Sequence, residues 1–249
     1  MWVDTGIDGD GDGKPDRVAA DIVRPEEPAA AGQKIPVIMD ASPYFSCCGR
    51  GNENEVKTYD SAGRPVGFPL YYDNYFVPRG DAVVLVDLAG TNRSKGCADV
   101  GAASDVGSAK AVIDWLNGRA QGFTAVSGGT AVTPNWTNGS VGMIGKSYDG
   151  TIADGVAATG VAGLKTIVPI SAISSWYDYY NADGVSFGEG GPADLAETVE
   201  QGNGGQNCST ENSKLVQGAP GNGDVTAAWN ARDYVTNVAN VHASVFASQ

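Results

Sequence analysis

The chain has 249 residues, 42% of them hydrophobic, and its 16 Lys and Arg against 29 Asp and Glu leave a formal charge of −13. That size and apolar content suit one α/β domain with a substantial core, or a core carrying an insertion. So acidic a chain lacks a nucleic-acid footprint and is not drawn to anionic membranes, which leaves small or neutral molecules as expected partners.

The opening Met1-Trp2-Val3-Asp4 does not read as a signal peptide, and no segment reaches the ~18 to 20 apolar residues of a membrane-spanning helix. The first feature in chain order is the loop Asp8-Gly9-Asp10-Gly11-Asp12-Gly13-Lys14-Pro15-Asp16. Carboxylates at alternate positions, with glycine for the sharp turn, match a hard cation such as Ca²⁺, which takes roughly six to eight oxygen ligands. Asp8, Asp10, Asp12 and Asp16 are the expected ligands, in a structural role. The twelfth position, where an EF-hand carries glutamate, is Ala19 and the following residues look like a strand. The expectation is therefore a calcium-stabilised hairpin loop, with a solvated acidic turn as the competing reading.

Strands are expected at residues 18–23, 35–39, 82–87, 141–144, 164–170 and 243–247. Several of these runs are too continuously apolar for an exposed antiparallel sheet, and they suit a central parallel sheet with helices on both faces. Residues 104–119 place Val106, Ala109, Val112, Ile113 and Leu116 at helical spacing, as an amphipathic crossover helix would. Four cysteines, Cys47, Cys48, Cys97 and Cys208, allow three complete pairings and contain no C-x-x-C motif. A bond between adjacent cysteines is the more demanding geometry, so Cys97 is expected with Cys208 and the other pair is left to a separate fate.

Gly145-Lys146-Ser147-Tyr148-Asp149-Gly150 puts a serine between small residues at the junction of an expected strand and a small-residue helix over 151–158. Such a bend pushes the hydroxyl out of the sheet plane and brings the first N–H groups of the helix near a developing oxyanion. A phosphate-binding loop is the rival reading of Gly145-Lys146-Ser147, but its spacing needs glycine where Ser140 stands. From residue 174 to about residue 235 the pattern turns aromatic and polar, with helical stretches at 193–200 and 224–232 between Gly/Asn-rich loops. This reads as an inserted lid. The chain's single histidine, His242, stands at the start of the last expected strand rather than in a loop beyond it, and is not assigned to a catalytic triad.

These segments together resemble the Xaa-Pro dipeptidyl-peptidases of the α/β-hydrolase superfamily, relatives of cocaine esterase and the α-amino-acid ester hydrolases. The likeness is carried by Trp2–Gly6 with the acidic loop, residues 36–44, 72–80, Ser104-Asp105-Val106, 113–117, 142–150 and 167–180. It implies an α/β-hydrolase fold with a mostly parallel central sheet and a partly helical lid: core over 1–173, lid over 174–235, and a returning core strand begun at 236–249. It implies Ser147 as nucleophile, the Tyr148 backbone N–H and the Tyr44 hydroxyl as oxyanion donors, and Trp176 and Tyr177 as walls of the substrate pocket. The implied substrate is a peptide with a penultimate proline, cleaved through an acyl-enzyme without a catalytic cofactor, in a secreted protein. The triad acid and histidine would follow residue 249, so this polypeptide alone is expected to turn over negligibly. An esterase or acylase on the same scaffold is the alternative activity, and a calcium-dependent binding module the alternative class.

Overall fold

The computed structural model describes residues 1–27, 31–49, 53–187 and 190–249. Eleven strands are described: β1 (Trp2–Asp4), β2 (Arg17–Val23), β3 (Ile35–Ser42), β4 (Ala82–Asp87), β5 (Gly122–Phe123), β6 (Ala131–Val132), β7 (Thr137–Lys146), β8 (Leu164–Ile170), β9 (Asn181–Ala182), β10 (Val185–Ser186) and β11 (Ser244–Val245). Nine of them form one sheet in the order β11-β8-β7-β3-β4-β2-β1-β5-β6. From β11 through β4 the pairings are parallel, and from β4 to β6 they are antiparallel. The expected parallel centre is present. The acidic loop is the connection of the β1–β2 hairpin, and no helix follows it.

Every residue of β4 is buried. A strand with no solvent side must be covered on both faces, and alternate side chains divide accordingly. Val84 and Val86, with Val37 and Met39 of β3, pack against α2 (Ala103–Leu116) and α3 (Tyr148–Ala158). Val83 and Leu85 pack on the other side with Phe45, Phe68 and the segment containing α1 (Tyr72–Phe76). The N-terminus of α2 has no side-chain cap of its own, and the Asp99 carboxylate instead accepts the N–H groups of Ala102, Ser104 and Asp105.

Between β8 and β11 run α4 (Trp176–Tyr180), the β9–β10 hairpin, α5 (Pro192–Val199), α6 (Ser209–Gly218) and α7 (Ala227–Asn230). This excursion is pinned to the loop after β4. Cys97 is bonded to Cys208, Glu200 accepts from the Ala98 N–H at 3.0 Å, and Gln206 donates to the Ser94 carbonyl at 2.9 Å. The buried Arg232 guanidinium spans the carbonyls of Asp99 and Val100 at 2.6 and 2.9 Å. Cys47 and Cys48, left unassigned by the sequence, are bonded to each other.

Several boundaries differ from the sequence-based expectation. α6 has a single buried residue, Leu215, so its pattern gave no apolar stripe to find. The helix expected at 224–232 is only Ala227–Asn230, and the strand expected at 243–247 is only Ser244–Val245, both of whose residues are exposed at the sheet edge. β7 begins four residues earlier than its apolar run, because Thr137 pairs with Ile35 before the register shifts ahead of Val141, across a stretch that holds Gly139 at φ +80°.

Candidate active site

Ser147 sits at the point where β7 turns into α3, with φ 61° and ψ −124°. A non-glycine residue there is strained, and it is held from both sides. Its N–H donates to the Ile170 carbonyl of β8 at 2.8 Å, and its carbonyl accepts from both the N–H and the hydroxyl of Thr151 at 2.9 Å. The flanking glycines are required by contact: a Cβ on Gly145 would lie 2.5 Å from the Asp149 carbonyl carbon, and one on Gly150 would lie 2.7 Å from the Gly145 oxygen. Sequence thus dictates the tight bend, and the bend presents the Ser147 hydroxyl half-exposed at the C-terminal end of the parallel sheet.

Tyr44 follows β3 and reaches the same point, its phenol lying beside the Ser147 side chain. Burial, followed by the charge of Asp149, pushes the Tyr44 phenol well up, so it stays a neutral donor. The loop that carries it is tied down by its own residues. The Ser42 hydroxyl accepts the Tyr44 N–H at 3.1 Å and donates to Glu55 at 2.8 Å, while the Tyr44 carbonyl accepts both Cys47 and Cys48 N–H groups at 3.2 Å. Phe45, next in sequence, lies under the Lys57 ammonium at 3.9 Å from its ring centre. That ammonium is wholly buried between Asp21 at 3.0 Å and Asp87 at 2.7 Å. Arg93 also bonds Asp21, and the two cations outweigh burial to hold the Asp21 carboxyl below its usual range.

Tyr148, the first residue of α3, has a backbone N–H with no intrahelical acceptor. The first N–H of α3, at Tyr148, thus adjoins Ser147 in the chain, and the Tyr44 phenol lies beside the Ser147 side chain. The Tyr148 side chain turns inward and is buried, and its hydroxyl donates to Asp105 at 2.5 Å. Burial and then neighbouring Asp99 push the Asp105 carboxyl up to about 7.

Trp176 lies in the hydrophobic core. It is 1% exposed and packed edge-on to Tyr148 at 5.0 Å, with its indole N–H facing the Tyr234 hydroxyl at 3.3 Å. Tyr177 spends its hydroxyl on the Gly223 carbonyl at 2.5 Å and its ring against Trp229. The aromatic that does face out is Tyr179, 56% exposed and close enough to Tyr44 to raise its pKa. Tyr179, Tyr180, Phe187 and Asp194 line a cavity of about 480 Å³. Sequence reasoning passed over Tyr179, although the run 176–180 contained it, because aromatics within a helix give no sign of which ring is turned outward.

His242 is exposed. It precedes Ser244, which pairs with Thr166 near the start of β8, whereas Ser147 bonds to Ile170 at the other end. The intervening strand length is on the order of 20 Å, so His242 cannot serve Ser147 as a base.

Three groups of carboxylate or sulfur atoms lie close enough to hold an ion among the described residues. One of them, Cys97 and Cys208 with Glu200, is consumed by the disulfide. Asp40, Glu55 and Asp149 form a buried acidic group behind the elbow. In the β1–β2 loop Asp8, Asp10 and Asp12 bring oxygens within 4.8 Å of one another, a hard-donor set that fits Ca²⁺. Asp16 is not among them: its carboxylate accepts the Gly9 N–H at 2.6 Å at the base of the loop, packed against Gly96.

Comparison with known proteins bears on this geometry. The sequence model of the family described as X-Pro dipeptidyl-peptidase (S15 family) matches residues 10–249. A Streptomyces avermitilis protein named "Putative Xaa-Pro dipeptidyl-peptidase" is 63% identical over 99% of this chain and 36% of its own length. The Xaa-Pro dipeptidyl-peptidase of Lacticaseibacillus rhamnosus is 33% identical over 98% of this chain and 37% of its own. Among solved structures, a CocE/NonD family hydrolase from Staphylococcus aureus superposes with a TM-score of 0.61 at 17% identity, over 92% of this chain and 37% of that one. The α/β-hydrolase fold is thereby shown. The chain spans little more than a third of the length of these relatives.

Proposed function

Since this chain belongs to the X-Pro dipeptidyl-peptidase (S15) family, we propose that it carries the nucleophile and oxyanion site of a serine peptidase that releases Xaa-Pro dipeptides from peptide N-termini. The observation that carries this reading is the strained Ser147 elbow with the Tyr44 phenol beside its side chain. In the proposed reaction the Ser147 oxygen adds to the carbonyl carbon of the proline residue itself, giving a tetrahedral alkoxide that the Tyr44 hydroxyl and Tyr148 N–H stabilise. Collapse expels the amine and leaves an acyl-enzyme, which water then hydrolyses. A serine hydroxyl needs a base, and a peptide amine needs a proton to leave. The chain's one histidine, His242, is not placed to be that base, and an acid and histidine from the remaining length that the relatives possess are proposed to complete the site.

The excursion over 174–235 is proposed as the lid of this site, with Tyr179, rather than Trp176 or Tyr177, offering a ring to the substrate. Two disulfides and the acidic surface support an exported protein. Asp8, Asp10 and Asp12 are proposed to hold a structural Ca²⁺. Calorimetric titration with CaCl₂ should give binding heat that disappears in an Asp10→Asn/Asp12→Asn variant, and no heat in the parent would remove this assignment.

The peptidase reading is tested with free-amine and N-acetylated Ala-Pro p-nitroanilide, offered to the polypeptide carried to the span of its relatives. Cleavage of the free amine with at least about tenfold preference is expected of a dipeptidyl-peptidase. Equal cleavage of both would favour an acylase or esterase on the same scaffold.

A further inference from the structure

The Tyr148 phenol is fixed at three points. Its hydroxyl donates to Asp105 Oδ2, its ring meets the Trp176 ring in a T-shaped contact at 5.0 Å, and it meets the Tyr44 ring nearly perpendicular at 6.1 Å. One ring therefore braces both oxyanion donors: the Tyr148 N–H through its own backbone, and the Tyr44 hydroxyl through ring contact. Asp105 is itself immobilised. The same Oδ2 accepts the Gly101 N–H at 2.8 Å, and the Asp105 N–H is held by Asp99. Gly101 in turn is locked from behind, since its carbonyl accepts the Tyr234 hydroxyl at 2.6 Å and a Cβ there would lie 2.0 Å from the Trp176 indole nitrogen.

For stability alone this is a poor arrangement. A phenylalanine would fill the same ring space, and a buried carboxyl beside a second one, Asp99, costs free energy that an apolar side chain would not. The arrangement does give a direction: it fixes how far Tyr148 enters the core, and with it where the first peptide N–H of α3 points as the chain leaves the strained Ser147. We propose that Asp105 is a positioning residue for the oxyanion site, acting through the Tyr148 side chain on the Tyr148 N–H and the Tyr44 hydroxyl. The inference rests on the serine-hydrolase reading of Ser147 and adds to it a residue on another helix.

The test uses the polypeptide carried to the span of its relatives, with Ala-Pro p-nitroanilide and p-nitrophenyl acetate as substrates and Ser147→Ala as the blank. Losing an oxyanion donor outright costs ~10²–10³ in kcat, and misaiming one should cost about tenfold. Tyr148→Phe and Asp105→Ala are expected to lower kcat about tenfold on both substrates with KM within about twofold, and Asp105→Asn, which keeps an acceptor oxygen, to recover most of the loss. Should Asp105→Ala fail to fold, Tyr148→Phe, which removes a single oxygen, decides alone. A kcat within twofold of the parent in Tyr148→Phe, or a loss carried by KM, would overturn the inference and leave the peptidase reading standing. Ser147-dependent ester turnover without anilide turnover would reject the proline specificity while the pair is still decided on the ester. No Ser147-dependent turnover of either substrate would overturn both.

Discussion

Replacing Lys57 by methionine removes a charge from the centre of the molecule while keeping most of the side chain's bulk. The ammonium is wholly buried, bonded to Asp21 at 3.0 Å and Asp87 at 2.7 Å, and seated on the Phe45 ring. Deleting one partner of a buried ion pair costs ~3–5 kcal/mol, because the remaining charge has neither water nor a counter-ion. Here Arg93 remains, bonded to Asp21 at 2.5 Å and 3.4 Å from Asp87, so the lower end of that range, about 3 kcal/mol, is expected. For a domain of this size each kcal/mol moves Tm by ~2–4 °C, which gives a fall of about 6–12 °C. Thermal unfolding at pH 7 followed by circular dichroism measures it, and Lys57→Met/Asp87→Asn should recover part of the loss by removing a stranded carboxylate. A Tm within about 2 °C of the parent would refute the reasoning and mean that Arg93 alone satisfies both carboxylates. The substitution should also reach the site, because the Lys57 N–H donates to the Phe45 carbonyl at 2.9 Å, one residue from Tyr44.

Gly145→Ala should destabilise by about 1–3 kcal/mol and abolish turnover, since its Cβ would collide with backbone atoms at Asp149 and Gly150 that have no room to retreat; urea unfolding and kcat check the two parts. Cys97→Ser/Cys208→Ser opens a crosslink between residues 111 apart and should cost ~2–5 kcal/mol, read as a lower urea midpoint and as faster proteolysis within 190–235. Burial raises the Asp154 carboxyl from 3.8 to about 6 in the folded state. The folded form then keeps a proton that the unfolded form has released, so this group's contribution falls as pH rises from about 4 through 6. Asp154→Asn should flatten that part of the Tm–pH profile and raise Tm at pH 7.5, and an unchanged profile would reject the assignment.

What could be read from the sequence was what local chemistry decides. The runs at 82–87 and 164–170 are strands with those same bounds, the first buried on both faces and the second with its exposed Lys165 among apolar residues that face the core. The elbow was legible because only small residues tolerate the contacts that Gly145 and Gly150 make. Residues whose roles depend on meeting a distant segment were not. Lys57, Asp21 and Asp87 come from a loop and two strands, and nothing in their separate surroundings marks them as partners. Asp105 was visible as part of Ser104-Asp105-Val106, yet its bond to Tyr148 joins residues 43 apart. Trp176 illustrates the converse: its place at the entry of the insertion pointed to a pocket wall, and tertiary packing drew it beneath Tyr148 instead.

The measurement closest to the central claim is release of p-nitroaniline from free-amine Ala-Pro p-nitroanilide by the polypeptide carried to the span of its relatives, with Ser147→Ala alongside. The account predicts turnover that the substitution lowers by at least about 10⁴-fold, as removal of a covalent nucleophile does. Turnover that survives Ser147→Ala, or p-nitrophenyl ester hydrolysis unaccompanied by any anilide cleavage, would contradict it.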